Sequence, residues 1–180
     1  MPKGMIRNTE GVLCVGLSEN NNSVTLIRRR DRKIWYLPGG GIDDDETPLM
    51  AGEREFIEET GGQRLKNVTY LGEYQLRNRF AFIIGDIYLE RIHVLSGTVA
   101  EGNPNTNDEA IAVAQFDITN LPFGLPNYCK RIIHDVKNKV IYEKPKIQRV
   151  GLLSPLVLLA KNPQMIPTFF RKQHSEFISR

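Results

Sequence analysis

The chain has 180 residues, 41% apolar and 25% charged, with 24 Lys and Arg against 21 Asp and Glu for a net charge of +3. That length and composition suit one globular domain with an appended segment, and exclude a mainly disordered or collagen-like chain. Two cysteines, Cys14 and Cys129, are too few for a disulfide framework and read as reduced thiols of a cytoplasmic protein.

The first seven residues, MPKGMIR, have no apolar core of the kind a signal peptide carries. The longest apolar stretch, 150–160, contains Ser154 and Pro155 and is too short to cross a bilayer, so no membrane partner is expected. Residues 11–17 (GVLCVGL) and 24–27 flank the turn-forming SENNNS and read as a hairpin. A basic cluster follows, Arg28, Arg29, Arg30, Arg32 and Lys33, and then a brief strand over 34–37. The run Pro38-Gly39-Gly40-Gly41 is a loop whose backbone can approach a ligand closely.

Thr47 and Pro48 signal a helix start, and Gly61-Gly62 its end. Leu49, Met50, Phe56 and Ile57 are expected on its buried face, and Ala51 and Gly52 allow close packing on a sheet. Strands are expected over 68–76, 81–89, 92–99 and 110–116, and a second helix over 126–140 with Tyr128, Ile132, Ile133 and Val136 on one side. The expected fold is α/β of the α+β type, a mixed sheet between helices. Residues 1–145 form the expected domain, and 146–180 an extension that Pro155, Pro163 and Pro167 break into short pieces. Phe169, Phe170 and Phe177 suit docking of that extension on the domain or on a second subunit.

The chemistry concentrates in the first helix. Glu55, Glu58 and Glu59 are spaced i, i+3, i+4 and share a face. Like charges at that spacing repel, so the cluster is either a solvated acidic face or a site for a compensating cation. Oxygen-only ligands suit Mg²⁺ or Mn²⁺. Arg54 stands beside Glu55 and four residues before Glu58, where its planar fork can orient a carboxylate.

Gly40, five residues, Glu46, seven residues, then Arg54-Glu55-Phe56-Ile57-Glu58-Glu59-Thr60-Gly61 resembles the Nudix box, and the approach WYLPGG also looks like that family's. One position departs: Gly62 stands where the family has a bulky apolar residue. The resemblance covers roughly 6–140 and implies a Nudix fold and metal-dependent hydrolysis of a nucleoside diphosphate linked to another moiety. It implies metal ligation by Glu55, Glu58, Glu59 and the Gly40 carbonyl, with Glu55, Glu58 and Arg54 also in the catalytic set and Arg54 and Glu46 orienting. Asp108-Glu109 opens a strand where many Nudix proteins carry a further ligand or general base, a role that passes chiefly to Glu109; the alternative is a solvated loop carboxylate.

Arg28, Arg30, Gly39 and Phe116 are the candidate substrate-binding residues; Gln115 stands where the family often has Trp. Asp43-Asp44-Asp45 lacks the spacing of a calcium loop, and His93, His134 and His174 lack zinc-ligand partners. Tyr70, Tyr74, Phe80, Phe82 and Tyr88 are base-stacking or core aromatics. The expected partner is a nucleotide-like small molecule; a net charge of +3 does not by itself argue for nucleic acid. Two other readings are kept. One is a noncatalytic nucleotide-sensing module on the same fold. The other is an RNA 5′-end pyrophosphohydrolase, supported by the Arg28 to Lys33 cluster.

Overall fold

The computed structural model describes residues 7–30, 33–78, 88–100, 104–106 and 110–150. Among the described residues seven strands and two helices follow in the order β1 (Arg7–Leu17), β2 (Ser23–Arg29), β3 (Trp35–Tyr36), α1 (Pro48–Thr60), β4 (Leu65–Asn78), β5 (Tyr88–Val99), β6 (Ala110–Asp117), α2 (Asn127–Lys137) and β7 (Lys146–Val150). The sheet runs β3-β2-β1-β5-β4-β7, with β6 paired to β2. It is mixed: β1 with β5 and β4 with β7 are parallel, and the remaining strand pairs are antiparallel. The architecture is the expected mixed sheet between helices.

Side-chain alternation along β1 builds both faces. Val12 and Cys14 face α1 and join a cluster with Ala51, Phe56 and Leu95. Leu13, Val15 and Leu17 face α2 and join the larger core with Tyr74, Ile92, Val94, Ile132 and Ile133. Burial of a side chain such as Phe56, fully excluded from solvent, contributes roughly 1.5–3 kcal/mol.

The hairpin expected from the first two apolar runs is only a small part of the pairing. β1 and β2 meet at Leu17 and Val24, and β1 otherwise pairs along its length with β5. The two strands diverge toward the other end of β1. There β3 takes the edge of β2, and the glycine loop takes the edge of β1. Val12 N–H donates to the Gly40 carbonyl at 2.9 Å and Cys14 N–H to the Pro38 carbonyl at 2.8 Å. A wedge therefore opens between β1 and β2.

α1 begins and ends as expected. The Thr47 side chain accepts from Met50 N–H, Pro48 is the first helical residue, and Gly61 caps the helix in the left-handed region at φ 71°. Its buried face is corrected by the structure. Leu49 and Met50 are exposed, and the face on the sheet is Ala51, Gly52, Phe56, Glu59 and Thr60. Small residues win that face because the helix lies too close for larger ones: a Cβ on Gly52 would stand 2.2 Å from Leu95 Cδ1 and 3.1 Å from Cys14 Sγ.

α2 buries Cys129, Ile132, Ile133, Asp135 and Val136. Asp135 accepts hydrogen bonds from the hydroxyls of buried Tyr74 and of Tyr142, and from Lys146 Nζ at 2.7 Å. Burial alone would raise the Asp135 carboxyl, but these donors hold it below its usual range. Lys146 opens β7, so the residues just past 145 add a strand beside β4. The strand expected over 81–89 falls largely on residues outside those described, as does the aromatic tail.

Gly61 combines a left-handed backbone with close approach, since a Cβ there would stand 2.4 Å from the Asn105 carbonyl oxygen. Gly61→Ala is expected to lower stability by about 1–3 kcal/mol. Urea denaturation should show this as a lower midpoint with an unchanged slope.

Candidate active site

The wedge between β1 and β2 is a cavity of about 290 Å³ lined by Glu10, Gly11, Val12, Leu13, Arg29, Tyr36, Gly39, Gly40, Gly41 and Ile92. Its floor is the glycine loop, and its neighbour is the acidic face of α1. The loop is glycine for reasons of contact. A Cβ on Gly40 would stand 2.4 Å from Glu55 Oε1 and 2.7 Å from Oε2, so the missing side chain is the seat of that carboxylate. Gly39 has φ +151°, and a Cβ there would collide with the Val12 carbonyl oxygen at 2.1 Å.

Arg54 organises the acids. Its Nε and Nη2 donate to the two oxygens of Glu46, each at 2.7 Å. Nη1 donates to Glu55 Oε1 at 2.8 Å and to Glu58 Oε2 at 3.4 Å, and Nη2 also reaches the Gly41 carbonyl at 3.2 Å. These bonds match the full donor set of a guanidinium. Asp43 Oδ2 stands 3.9 Å from Nη2, so four carboxylates lie within ion-pair distance of this one cation. Hydrogen bonding to Glu46 raises Arg54 above its ordinary value, and the same bonds hold the Glu46 carboxyl down at about 2.

Glu59 is set apart. It is buried, accepts Gly39 N–H on Oε2 at 2.7 Å, and has Arg29 Nη1 at 3.7 Å from Oε1. Glu59 therefore joins the helix to the loop and to the end of β2. Beneath them Cys14 donates from Sγ to the Gly52 carbonyl at 3.2 Å. Burial first, then the neighbouring Glu55 and Glu59, push its thiol well above its usual range. It is an inert core residue.

The structure thus brings Gly39, Gly40, Glu46, Arg54, Glu55, Glu58 and Glu59 together around one loop and one helix turn. The Gly40 carbonyl spends one lone pair on Val12 N–H. Glu109 lies outside the described residues; Asn105 N–H donates to the Thr60 carbonyl at 3.2 Å, and β6 starts at Ala110. Arg28 and Arg30 are exposed and do not line the cavity; Arg28 Nε bonds the Lys33 carbonyl at 3.1 Å. Arg29 between them does line it, because alternate residues of a strand face opposite sides. Phe116 packs edge-on to Trp35 at 4.7 Å, away from the cavity lining. Glu10, Tyr36 and Ile92 were not singled out by the sequence. They reach the cavity through strand pairings distant in the chain, and only the parity of Arg29 along β2 was readable in advance.

The NUDIX domain profile matches residues 7–135, more than half of the chain. The chain belongs to the Nudix family. It is 30% identical over 155 residues to a Bacillus subtilis (strain 168) protein provisionally named an 8-oxo-dGTP diphosphatase, covering 85% of this chain and 96% of that protein. It is 39% identical over 71 residues to the RNA pyrophosphohydrolase of Agrobacterium fabrum (strain C58 / ATCC 33970), covering 38% of each. The fold is similar to the MutT Nudix hydrolase of Burkholderia pseudomallei, with TM-score 0.58 and 22% identity over 72% of this chain and 98% of that one. Nudix hydrolases act on pyrophosphate bonds of nucleoside diphosphate derivatives and generally use divalent metal ions. Among the described residues no helix is long and apolar enough to cross a membrane.

The depressed Glu46 carboxyl has a measurable consequence. Its folded value, about 2, lies below the ordinary 4.5. The Arg54 contact therefore stabilises the fold above pH 4.5, and that contribution is lost as pH falls toward 2. Urea midpoints measured across this window should fall less steeply in Glu46→Gln than in the unaltered chain.

Proposed function

We propose that this Nudix chain is a divalent-metal-dependent pyrophosphohydrolase that attacks a nucleoside triphosphate or a similar nucleoside diphosphate derivative with water. The observation that carries the reading is the five-bonded Arg54, which gathers the oxygen donors of Glu46, Glu55 and Glu58 beside the cleft.

The residues fit a hard cation by donor chemistry. Every candidate ligand is an oxygen, and the Glu55 carboxylate holds the space that a side chain at Gly40 would fill. Among the described residues no three acidic, His or Cys side chains are already drawn into a cage. Arg54 and Gly39 N–H take up the carboxylates instead. Glu55, Glu58, Glu59 and the Gly40 carbonyl would hold the ion. When bound, Mg²⁺ or Mn²⁺ neutralises phosphate charge and acidifies the attacking water.

The chain's own groups do the rest. Arg29, at the cleft wall, attracts the polyphosphate, and Arg28 and Arg30 add charge at the exposed end of β2. Gly41, whose Cβ position is open, lets the phosphates come close to backbone in the loop that Gly39 and Gly40 seat. Arg54 and Glu46 fix the carboxylates. A carboxylate of this set, or Glu109, accepts the proton of the attacking water. The new P–O bond forms as the bridging P–O bond breaks, and the leaving phosphate departs with the electron pair. Phe116 supports the wall behind β2 through Trp35.

The test is a hydrolysis screen over nucleoside triphosphates, ADP-ribose, dinucleoside polyphosphates and 5′-triphosphorylated RNA. Turnover with Mg²⁺ is expected to vanish with a chelator. Glu58→Gln and Glu59→Gln are each expected to lower kcat about a hundredfold or more. Hydrolysis persisting in both variants would overturn the site. Turnover of RNA ends alone would favour the RNA 5′-end reading, which the Agrobacterium relative's name also supports. No turnover of any substrate would favour the sensing module.

A further inference from the structure

Among the described residues the sheet has two outer edges, and their compositions differ. β7 forms one edge with five residues, KIQRV, two of them basic, a composition that opposes pairing with another chain. β6 forms the other, pairing with β2 alone. From Ala112 to Phe116 it carries no charge, proline or glycine. Its register shift lies before this run, between Ala110 and Ala112, so the run itself is regular. Ile118 N–H donates to the Asn22 carbonyl at 3.0 Å, which makes Asn22 and Ile118 a hydrogen-bonded pair. Antiparallel pairs alternate between bonded and non-bonded. The next bonded pairs are therefore Val24 with Phe116, Leu26 with Ala114 and Arg28 with Ala112. Val113 and Gln115 turn N–H and C=O the other way, off the sheet, where they have no partner among the described residues. Burial agrees. Val24, Leu26 and Ile27 of β2 are fully excluded from solvent. Val113 and Ala114, one strand further out, are both only half-buried although they face opposite sides of the sheet, as a missing neighbour strand requires.

The run is complementary to itself. Val24 and Leu26 face the core with α2, so Phe116 and Ala114 opposite them lie on that face, and Ala112 with them. A second copy laid antiparallel about an axis through Ala114 sets Phe116 against the partner's Ala112, large against small. On the other face Val113 meets the partner's Gln115. In that register the outward N–H and C=O of each Val113 meet those of the partner's Gln115, roughly four backbone hydrogen bonds in all. No like charges oppose one another, since Asp117 falls opposite the partner's Ile111. A contact of this length suits a reversible dimer.

We propose that the outer edge of β6, from Ala112 to Phe116, pairs antiparallel with the same edge of a second copy of this chain, so that one sheet runs across both. This surface lies apart from the hydrolytic site and does not depend on the reading of that site.

Sedimentation and amide hydrogen exchange of the full chain, each over a wide range of concentration, test it. The mass is expected to rise from 20.5 kDa toward twice that value as concentration increases. The Val113 and Gln115 amides are expected to slow in step with that rise, whereas those of Ala114 and Phe116, bonded to β2, stay slow throughout. Val113→Pro removes an outward N–H only and is expected to weaken association about tenfold or more without unpairing β6 from β2. Gln115→Lys alters an exposed residue and sets a cation near the axis on each copy; it is expected to weaken association similarly with an unchanged denaturation midpoint. A chain that stays monomeric at every concentration overturns the proposal. So does a dimer whose Val113 and Gln115 amides ignore concentration, or one that Gln115→Lys leaves intact. Protection of those two amides in the monomer would assign the edge to a segment of the same chain, and overturns it equally.

Discussion

One guanidinium among several carboxylates is the constraint on which the site depends. The spacing of Glu55 and Glu58 puts like charges on adjacent helical turns, an arrangement that destabilises an isolated helix. Arg54 offsets that repulsion from within the same helix and, through Glu46 and the Gly41 carbonyl, ties the helix to the loop before it. Its bidentate contact with Glu46 is geometrically specific in a way a lysine could not reproduce. Carboxylates outnumber the guanidinium they surround, and the proposed affinity of this face for divalent cations rests on that arrangement.

The fold supplies the rest by close approach rather than by large hydrophobic contacts. α1 comes down on β1 through Ala51 and Gly52, and the glycine loop lies along β1 as though it were another strand. Each contact excludes a side chain: Gly52 by Leu95 and Cys14, Gly40 by Glu55, and Gly39 by the Val12 carbonyl. Glu59 then joins the three parts by accepting Gly39 N–H from its buried position. The same divergence of β1 from β2 that makes room for the loop also opens the cleft beside it. Structural and chemical roles are therefore carried by the same few residues.

Much of this was legible in the sequence because it is local. Thr47, Pro48 and Gly61 set the ends of α1 through cap chemistry, and the spacing of the box set its acidic face. Leu49 and Met50 misled because hydrophobicity alone marked them as buried, while the real docking face is small. The parallel pairing of β1 with β5 joins segments far apart in the chain, and no local pattern announces it. Glu10 and Ile92 therefore come together at the cleft only once the sheet is assembled. Arg29 differs from Arg28 only by the parity of its strand position, and that parity depends on which face of β2 the cleft adjoins. β7 was hidden for a related reason: Lys146 is held by Asp135 and Tyr142, contacts made only after α2 has packed.

The central proposal is that the acidic face organised by Arg54 binds a divalent cation. Its most direct measurement is Mn²⁺ titration followed by electron paramagnetic resonance, with no substrate present. Saturable uptake of Mn²⁺ by the unaltered chain, weakened at least tenfold in both Glu58→Gln and Glu59→Gln, is the result the account requires. Equal uptake by all three proteins, or none by the unaltered chain, would contradict it.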